Sequence, residues 1–187
     1  EMRESDWSSD VCSSDLFILL FIYSLLSTTP KMNSPLVTIS IPIYNCENHI
    51  INCLQSVIYQ TYKNIEILLV DDLGNDNSMK LAEDFIKKHS GFNFRILKNE
   101  KNSGLSVVRN VGIDNAKGKY IFFLDSDDEI TPDCISKMVE IAENEEVEMV
   151  CGNVKTIQLD TKKESNAFKL QNSKEKIIGN KEIFESF

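Results

Sequence analysis

A run of acidic residues directly after an apolar segment is the part of this sequence best suited to chemistry. Asp125, Asp127 and Asp128 follow the apolar segment 120–124, which predicts a buried strand. Open α/β sheets bind ligands at the carboxyl ends of their strands. Neighbouring carboxylates repel each other unless a cation joins them, and their oxygens suit Mg²⁺ or Mn²⁺. The run therefore predicts a divalent metal site, and the metal would in turn hold a phosphate.

Two further predicted strands end on polar residues that could contact a ligand. The first is followed by Tyr44 and Asn45, and the second by Asp71 and Asp72. An aspartate can accept a hydrogen bond from a base N–H or from a ribose hydroxyl. Together with the acidic run, these residues predict a nucleotide pocket at one rim of the sheet. Taken singly, each has a structural alternative, because an aspartate after a strand commonly caps a helix and a tyrosine commonly packs.

The elements that would position these residues alternate between strand and helix from Leu36 onward, as expected of a parallel sheet flanked by helices. We predict strands at 37–41, 65–70, 94–97, 120–124 and 147–151. Pro42 should end the first strand because it cannot donate a backbone hydrogen bond. The intervening apolar stripes predict helices that begin near Glu47, Met79, Leu105 and Thr131, with Thr131 as the cap of the last one. The chain then becomes polar over 160–176, and 177–187 would begin another helix.

The composition is that of one globular domain and excludes some classes of function. The chain has 187 residues, of which 42% are hydrophobic and 26% are charged. Its net charge of −9 and the lack of a basic face argue against nucleic-acid binding. The five cysteines contain no CxxC pair and predict reduced thiols. We therefore expect a cytoplasmic protein, with peripheral association at the inner face of the membrane as an open alternative.

The first 31 residues differ from the rest and are interpreted as a non-native or upstream-translated segment. Residues 1–16 are rich in Ser and Asp, lack apolar periodicity, and resemble the translation of a sequencing adapter. The apolar segment 17–26 has about half the length that a membrane span needs, and it lacks the flanks of a signal peptide. Met32 stands just before the first predicted strand, so we expect the native chain to start there.

Several short motifs follow one another along the chain: Val37-Thr38-Ile39-Ser40-Ile41-Pro42-Ile43-Tyr44-Asn45, Gln60-Thr61-Tyr62, Val70-Asp71-Asp72, Arg109-Asn110-Val111-Gly112-Ile113, Ala116-Lys117-Gly118 and Phe123-Leu124-Asp125-Ser126-Asp127-Asp128. Their order and spacing over residues 36–155 resemble family 2 glycosyltransferases. The resemblance implies a Rossmann-like GT-A fold and a catalytic domain over 36–187 that is incomplete at its C-terminal acceptor side. It also implies a nucleotide-sugar donor, commonly a UDP-sugar, and inversion at the anomeric carbon. The acceptor would be a saccharide or a lipid-linked molecule, in cell-surface polysaccharide or glycolipid synthesis.

The same resemblance implies roles for the residues around the nucleotide. Asp72 would recognise the base of the donor, and Pro42 and Tyr44 would line that side of the pocket. Arg109 lies in the Arg-Asn-x-Gly-Ile motif, where a cation could contact the nucleotide. A structural salt bridge is an equally open interpretation of this arginine.

The same resemblance implies that the acidic run binds the metal. Asp125 would lie beside the ribose and the metal, and Asp127 would bind Mn²⁺ or Mg²⁺ directly. Asp128 would help by orientation. The metal would bridge the diphosphate and stabilise the negative charge left when the sugar departs.

Two departures from the family pattern stand out. The family often has Asp-Asp-Gly-Ser, whereas this chain has Asp71-Asp72-Leu73-Gly74, so its loop geometry could differ. An inverting transferase also needs a general base, and the sequence offers no convincing counterpart. Asp160 and Glu164 are candidates by position only, and their polar surroundings resemble a solvated loop.

Other functions fit the sequence less well. A haloacid-dehalogenase-type phosphatase uses Asp-x-Asp at the start of its domain, and in this chain three predicted strands precede the motif. A calcium loop fails because Ile130 and Ser136 occupy the positions of the required Gly and Glu. The dinucleotide fingerprint is absent. The remaining alternative is a truncated nucleotide-binding fragment without catalytic activity.

Overall fold

The computed structural model describes residues 34–152, 154–158 and 163–168. The chain divides between Ser34 and Pro35, and all the strands and helices below belong to the part after this division. The interpretation of residues 1–31 as non-native and the predicted helix at 177–187 lie outside the described residues.

A four-stranded sheet forms the centre of the described part, with the strands in the order β3-β2-β1-β4. Their bounds are Val37–Ile43 for β1, Ile65–Asp71 for β2, Asn93–Lys98 for β3 and Tyr120–Phe123 for β4. All three neighbouring pairs are parallel, which confirms the predicted sheet. The strand β1, which carries the first of the sequence motifs, therefore has neighbours on both sides.

Helices cover both faces of this sheet, so β1 and β2 are buried on both faces. Their bounds are Ile50–Ile58 for α1, Ser78–Lys88 for α2, Leu105–Asn115 for α3 and Cys134–Asn144 for α4. The main core packs α1, α2 and α4 on one face, and α3 packs on the other, where Val108 contacts Leu68 and Val70. None of the helices in the described ranges has the length and apolarity to cross a membrane.

A buried carboxylate ties the amino ends of three strands to the connection between α3 and β4. Glu66 in β2 accepts hydrogen bonds at Oε1 from the Thr38 hydroxyl (2.9 Å) and the Lys117 amide (3.1 Å). Its Oε2 accepts one from Arg95 Nη1 (2.8 Å). Burial would raise the pKa of Glu66, but the bonds from Arg95, Thr38 and Lys117 outweigh it and hold the pKa below its usual value. Glu66 is thus an ionised, fully paired group inside the fold.

The connection between α3 and β4 reaches the Glu66 carboxylate only because Gly118 has no side chain. A Cβ at Gly118 would lie 2.6 Å from the Thr38 amide nitrogen and 2.6 Å from the Tyr120 carbonyl oxygen. The Gly118 amide donates to Thr38 Oγ1 (2.9 Å). Any larger residue would push the chain away from β1.

The predicted strand at 147–151 is wrong. After α4 the chain turns at Glu146, which has a φ of 52°, and it forms no strand before β5 at Val154–Gln158. This strand pairs antiparallel with β6 at Lys163–Phe168, within the polar stretch 160–176, for which the sequence predicted no strand. The apolar residues of 147–151 predicted a strand, but Met149 is 64% exposed, so no core covers that side chain.

Two predicted element ends are also wrong. Pro42 does not end β1, which continues to Ile43 with Pro42 opposite Val70. The Ser40 carbonyl accepts a hydrogen bond from the Leu124 amide, on the side of β1 that faces β4. Pro42 lies two residues later, so its missing N–H would face the same side. There β4 has already passed its last paired residue, and no hydrogen bond of the sheet is lost. Thr131 does not cap α4, because its hydroxyl bonds to the Asp133 carboxylate and the helix begins at Cys134.

Candidate functional site

The carboxyl ends of β4, β1 and β2 lie side by side and bring the three predicted polar sets to one rim. The Leu124 amide bonds to the Ser40 carbonyl (3.1 Å), which carries β4 directly into the acidic run. On the other side of β1, the Asp72 amide bonds to the Ile43 carbonyl (3.0 Å). The rim is therefore continuous from the acidic run to the end of β2.

Residues 125–129, which we call the acidic loop, present their charges to solvent. The loop turns tightly, with the Asp128 amide bonded to the Asp125 carbonyl (3.0 Å). Ser126 is buried beneath it, whereas Asp127 and Asp128 are exposed. Partial burial of its carboxyl group raises the pKa of Asp128 although the residue as a whole is exposed, and the negative charges of Asp127 and Asp125 raise it further. The loop thus holds closely spaced negative charges that a cation would stabilise.

Arg109 from α3 pairs with the first aspartate of this loop. Its Nη2 donates to both carboxylate oxygens of Asp125, at 2.8 and 3.2 Å. The two side chains are 39% and 41% exposed, so the pair contributes little to stability. Arg109 Nε is buried without a hydrogen-bond partner. The structural salt bridge considered for Arg109 is therefore present, and the arginine also has an unused donor beside the rim.

The donor chemistry of the acidic loop fits a metal that arrives with a phosphate. In the part of the chain that the structure describes, no three His, Cys, Asp or Glu side chains converge as a ready metal cage. Mg²⁺ in phosphate sites is usually held by one or two carboxylates, with phosphate oxygens and water filling the remaining positions. Asp127 and Asp125 supply such carboxylates. A cation there would also offset the mutual repulsion of the closely spaced carboxylates.

Asp72 lies at the rim as predicted, but its carboxylate is largely engaged with the loop after β3. Oδ1 accepts from Asn99 Nδ2 (2.7 Å) and the Ser103 amide (2.9 Å), and Oδ2 accepts from the Gly104 amide (2.9 Å). Burial would raise the pKa of Asp72, but these three bonds outweigh it and lower the pKa. The residue is 3% exposed. Because each carboxylate oxygen can accept two bonds, Oδ2 keeps one acceptor position.

The sequence did not indicate that Asn99 and Ser103 would be the partners of Asp72. The polar residues before α3 predicted a turn, and they also place two backbone amides at the amino end of that helix. A carboxylate at this position satisfies amides that have no partner within the helix.

The loop after β1 is held against the loop after β2 by a close backbone approach. The Asn75 amide donates to Asn45 Oδ1 (2.8 Å), and a Cβ at Gly74 would lie 2.7 Å from the Asn45 amide nitrogen. Next to this contact Tyr44 is 48% exposed, and Pro42 is buried. Tyr44 is therefore available to a ligand, whereas Pro42 can only shape the floor of the rim.

Leu73 adopts a backbone conformation that favours glycine. Its φ is 60°, and its amide donates to Asp71 Oδ1 (2.9 Å). At this position the family pattern has glycine, so the backbone is one that glycine would adopt without strain. A residue with a side chain in this region costs about 1–2 kcal/mol.

A set of contacts from α1 and the turn after it to the acidic loop has no counterpart among the sequence predictions. The Cys53 thiol lies 3.7 Å from the Asp125 carbonyl, and burial, followed by the charge of Cys46 and of the acidic loop, raises its pKa to about 12. Ser56 and Gln60 contact the chain just beyond the loop. Two signals in the sequence pointed to this region: the motif that begins at Gln60, and the three-residue spacing of Cys53 and Ser56, which is that of neighbours on one helix face.

The comparison with protein families settles the affiliation of the chain. The family model described as glycosyl transferase family 2 matches residues 38–185. The chain belongs to this family. The match runs from β1 past β6 and includes the whole rim described above.

Curated proteins of the family show the same similarity over part of their length. Glycosyltransferase GlyG of Streptococcus pneumoniae is 35% identical over 120 residues, which is 64% of this chain and 39% of GlyG. The putative glycosyltransferase EpsH of Bacillus subtilis is 40% identical over 120 residues, 64% of this chain and 34% of EpsH. An uncharacterized glycosyltransferase of Haemophilus influenzae is 34% identical over 146 residues, 78% of this chain and 56% of that protein. The chain thus spans between about a third and somewhat over half of these relatives.

Solved structures confirm the predicted GT-A fold. Residues 1–349 of the S. aureus protein TarS in complex with UDP are 28% identical with a TM-score of 0.53, over 58% of this chain and 32% of that TarS chain. GalNAc-T7 with UDP, GalNAc and Mn²⁺ is 25% identical with a TM-score of 0.53, over 61% and 22%. The mannosyltransferase PcManGT of Pyrobaculum calidifontis matches with a TM-score of 0.57 at 19% identity, over 70% and 41%, and supports the fold alone.

The candidates for a general base gain no further support. Glu164 lies in β6, at a backbone position opposite Ile157. Asp160 lies outside the described residues.

Proposed function

We propose that this family 2 member transfers a sugar from a nucleoside-diphosphate donor, a UDP-sugar, to a saccharide or lipid-linked acceptor with inversion. One observation carries the proposal: the acidic loop and Asp72 lie on one rim of a parallel sheet, at the carboxyl ends of β4 and β2. This is the place where open α/β sheets bind nucleotides. The relatives TarS and GalNAc-T7 bind UDP, which supports uridine as the base.

The acidic loop is proposed to hold the diphosphate through Mn²⁺ or Mg²⁺. Asp127 is exposed and engaged in no side-chain hydrogen bond among the described residues, so it would bind the metal directly. Asp125 would assist and keep its pairing with Arg109. When bound, the metal supplies positive charge that stabilises the departing diphosphate.

The other rim residues are proposed to hold the nucleoside. The free acceptor position on Asp72 Oδ2 suits the single N–H of a uracil ring. Tyr44, which follows β1 at the same rim, presents about half of its surface, and an aromatic ring of this kind can stack on a base. Arg109 Nε, which is buried without a partner, could donate to an oxygen of the nucleotide once one is bound.

The acceptor and the cellular site follow from the proposed chemistry. The free thiols among the described residues suit a reducing compartment. We therefore place the reaction in the cytoplasm, at the inner face of the membrane when the acceptor is lipid-linked. The product would contribute to a cell-surface polysaccharide or glycolipid. The general base that the inverting reaction requires is left unassigned among the described residues.

Calorimetric titration of UDP in the presence and absence of Mn²⁺ tests the donor site. We expect binding that requires Mn²⁺ and that weakens at least about tenfold in Asp127→Ala, because a metal ligand is lost. Asp114→Ala is the matched control, since Asp114 is also exposed and lies on α3 away from the loop. Equal affinities of the wild type and Asp127→Ala would contradict the proposal. Binding of GDP instead of UDP would keep the metal site and overturn the assignment of the base.

Transfer itself requires a second readout. Release of UDP from UDP-sugars in the presence of Mn²⁺ and candidate acceptors would show an active transferase. Mn²⁺-dependent binding of UDP without release by any donor and acceptor would instead support the nucleotide-binding fragment.

A further inference from the structure

One face of α1, continued by the turn after it, makes a series of polar contacts along the chain segment that carries the acidic loop. At the start of the loop, Cys53 Sγ lies 3.7 Å from the Asp125 carbonyl oxygen. Just after the loop, the Ile130 amide donates to Ser56 Oγ (3.2 Å). Two residues past the end of α1, Gln60 Nε2 donates to the Thr131 carbonyl (2.7 Å). The loop is thus attached to this surface before its first and after its last acidic residue.

Gln60 is the centre of this attachment. It is 1% exposed, and its amide uses both ends: Nε2 donates to the Ser56 and Thr131 carbonyls, and Oε1 accepts from the Ile135 amide (3.1 Å). The neighbouring Thr61 amide donates to the Pro132 carbonyl (2.8 Å). A side chain that donates twice and accepts once in this way has to be an amide, and a buried group of this kind is costly to leave unpaired.

The acidic loop has few other restraints. Its carboxylates are close together because the loop turns tightly at the Asp125 carbonyl, and Arg109 pairs with Asp125 alone among them. Repulsion therefore acts to spread the loop when no cation is bound. The contacts from α1 and Gln60 act on the backbone and oppose this spreading.

We propose that Gln60, supported by Ser56, is a positioning residue that fixes the backbone of the acidic loop in the conformation that binds the metal and the diphosphate. The proposal rests on the proposed function for its ligand, and on the hydrogen bonds of Ser56 and Gln60 for its mechanism. Gln60 touches neither the metal nor the nucleotide. It acts through its hydrogen bonds to Thr131 and Ile135, so that Asp125 and Asp127 are already ordered before the ligand binds.

The sharpest test is Gln60→Glu in the full chain, because the substitution preserves size and shape while it replaces the NH₂ donor by a carboxylate oxygen and adds a negative charge. The carboxylate would face the Ser56 and Thr131 carbonyls without a proton to share. Gln55→Glu is the matched control, since it makes the same chemical change within α1, five residues earlier. Calorimetry should show the affinity for UDP with Mn²⁺ falling at least about tenfold in Gln60→Glu and remaining within about twofold in Gln55→Glu.

A second control separates positioning from general loss of stability. Glu66→Gln removes the buried ion pair at the amino ends of the strands, at the far end of β2 from the rim. It should destabilise the chain and leave the affinity of the folded protein for UDP with Mn²⁺ unchanged. If affinity falls equally in Glu66→Gln and Gln60→Glu, Gln60 has no specific role and the proposal is overturned.

Ser56→Ala keeps the test decisive if Gln60→Glu does not fold. It removes the hydroxyl oxygen that accepts the hydrogen bond of the Ile130 amide, and it changes the side-chain volume little. We therefore expect the affinity to fall as in Gln60→Glu, but by less. Unchanged affinity in every variant of Ser56 and Gln60 that folds would overturn the proposal.

Hydrogen exchange without ligand distinguishes failure of this proposal from failure of the proposed function. Faster exchange at the Asp128 and Ile130 amides in Gln60→Glu, but not in Gln55→Glu, shows that Gln60 restrains the loop even if the wild type binds no UDP. Identical exchange in wild type and Gln60→Glu would overturn the positioning role whatever the ligand is.

Discussion

Replacing Glu66 by glutamine should destabilise the protein strongly although the two side chains have the same shape. Oε1 of Glu66 accepts hydrogen bonds from two donors, and Oε2 accepts one from Arg95. Glutamine can present its oxygen to only one side, so its NH₂ group must face either Arg95 or the pair of donors from Thr38 and Lys117. Whichever way it turns, a buried donor opposes another donor.

The magnitude follows from the burial of the partners. Breaking a buried ion pair costs about 3–5 kcal/mol. The Glu66 side chain is 1% exposed, whereas that of Arg95 is 26% exposed and keeps a bond to the Asn115 carbonyl (2.9 Å). Water and this second partner offset part of the loss, so we expect about 3 kcal/mol. Urea unfolding followed by circular dichroism at pH 7 measures it, as a fall of the midpoint by about 1.5 M at a slope of about 2 kcal/mol per M.

The pH dependence gives the same experiment a second readout. The pKa of Glu66 is lowered in the folded protein relative to its usual value of 4.5. The contribution of Glu66 to the free energy of unfolding is therefore complete above pH 4.5. It is lost as the pH falls through the lower pKa that Glu66 has in the folded protein. The difference between wild type and Glu66→Gln should be largest at pH 7 and should shrink on acidification below pH 4.5.

The control is an exposed ion pair. Asp84→Asn removes the partner of Lys87 on α2, whose side chains are 50% and 71% exposed, and it should cost no more than about 0.5 kcal/mol. A loss below about 1 kcal/mol in Glu66→Gln, or a loss that does not change between pH 7 and pH 3, would refute the reasoning.

Two further predictions concern packing and reactivity. Gly118→Ala should destabilise the protein by about 2 kcal/mol because its Cβ would lie 2.6 Å from two backbone atoms, whereas Gly91→Ala, with nothing within 4 Å, should stay within about 0.5 kcal/mol in the same urea assay. Iodoacetamide at pH 8 should modify exposed Cys151 and spare Cys53, because burial raises the pKa of Cys53 to about 12. Peptide mass mapping measures both sites, and equal labelling would contradict this assignment.

The parallel sheet could be predicted because its strands are short apolar-rich segments that alternate with helical patterns and are followed by polar residues. β2, for example, is buried from Glu66 to Asp71, and the predicted segment 65–70 differs from it by one residue. Strong apolar periodicity likewise predicted the helices, and their starts were less certain because turns precede α1 and α4.

The misassigned strand has a physical reason of a different kind. Val147, Met149 and Val150 have the composition of a strand, but a strand also needs a partner edge and a covering face. Met149 has neither, since it is 64% exposed and lies in no strand. Local sequence cannot report whether such a partner is present.

The site was predictable in its acidic residues and not in their supports. Carboxylates after a strand are visible in the sequence, whereas the partners of Asp72 come from residues about thirty positions later. Gln60 belongs to a motif of the family resemblance, but only the structure shows that its amide holds the chain beyond the acidic loop. Long-range hydrogen bonds of this kind leave no periodic signal.

The position of β1 between β2 and β4 also bears on how the chain is made. Thr38 receives hydrogen bonds from the amides of Lys117 and Gly118, which are 79 and 80 residues later in the chain. During synthesis, β1 and β2 can pair early, but one edge of β1 stays open until β4 has left the ribosome. An open edge on an apolar strand invites pairing with other chains. The growing polypeptide is therefore most exposed to such pairing between the emergence of β2 and the emergence of β4.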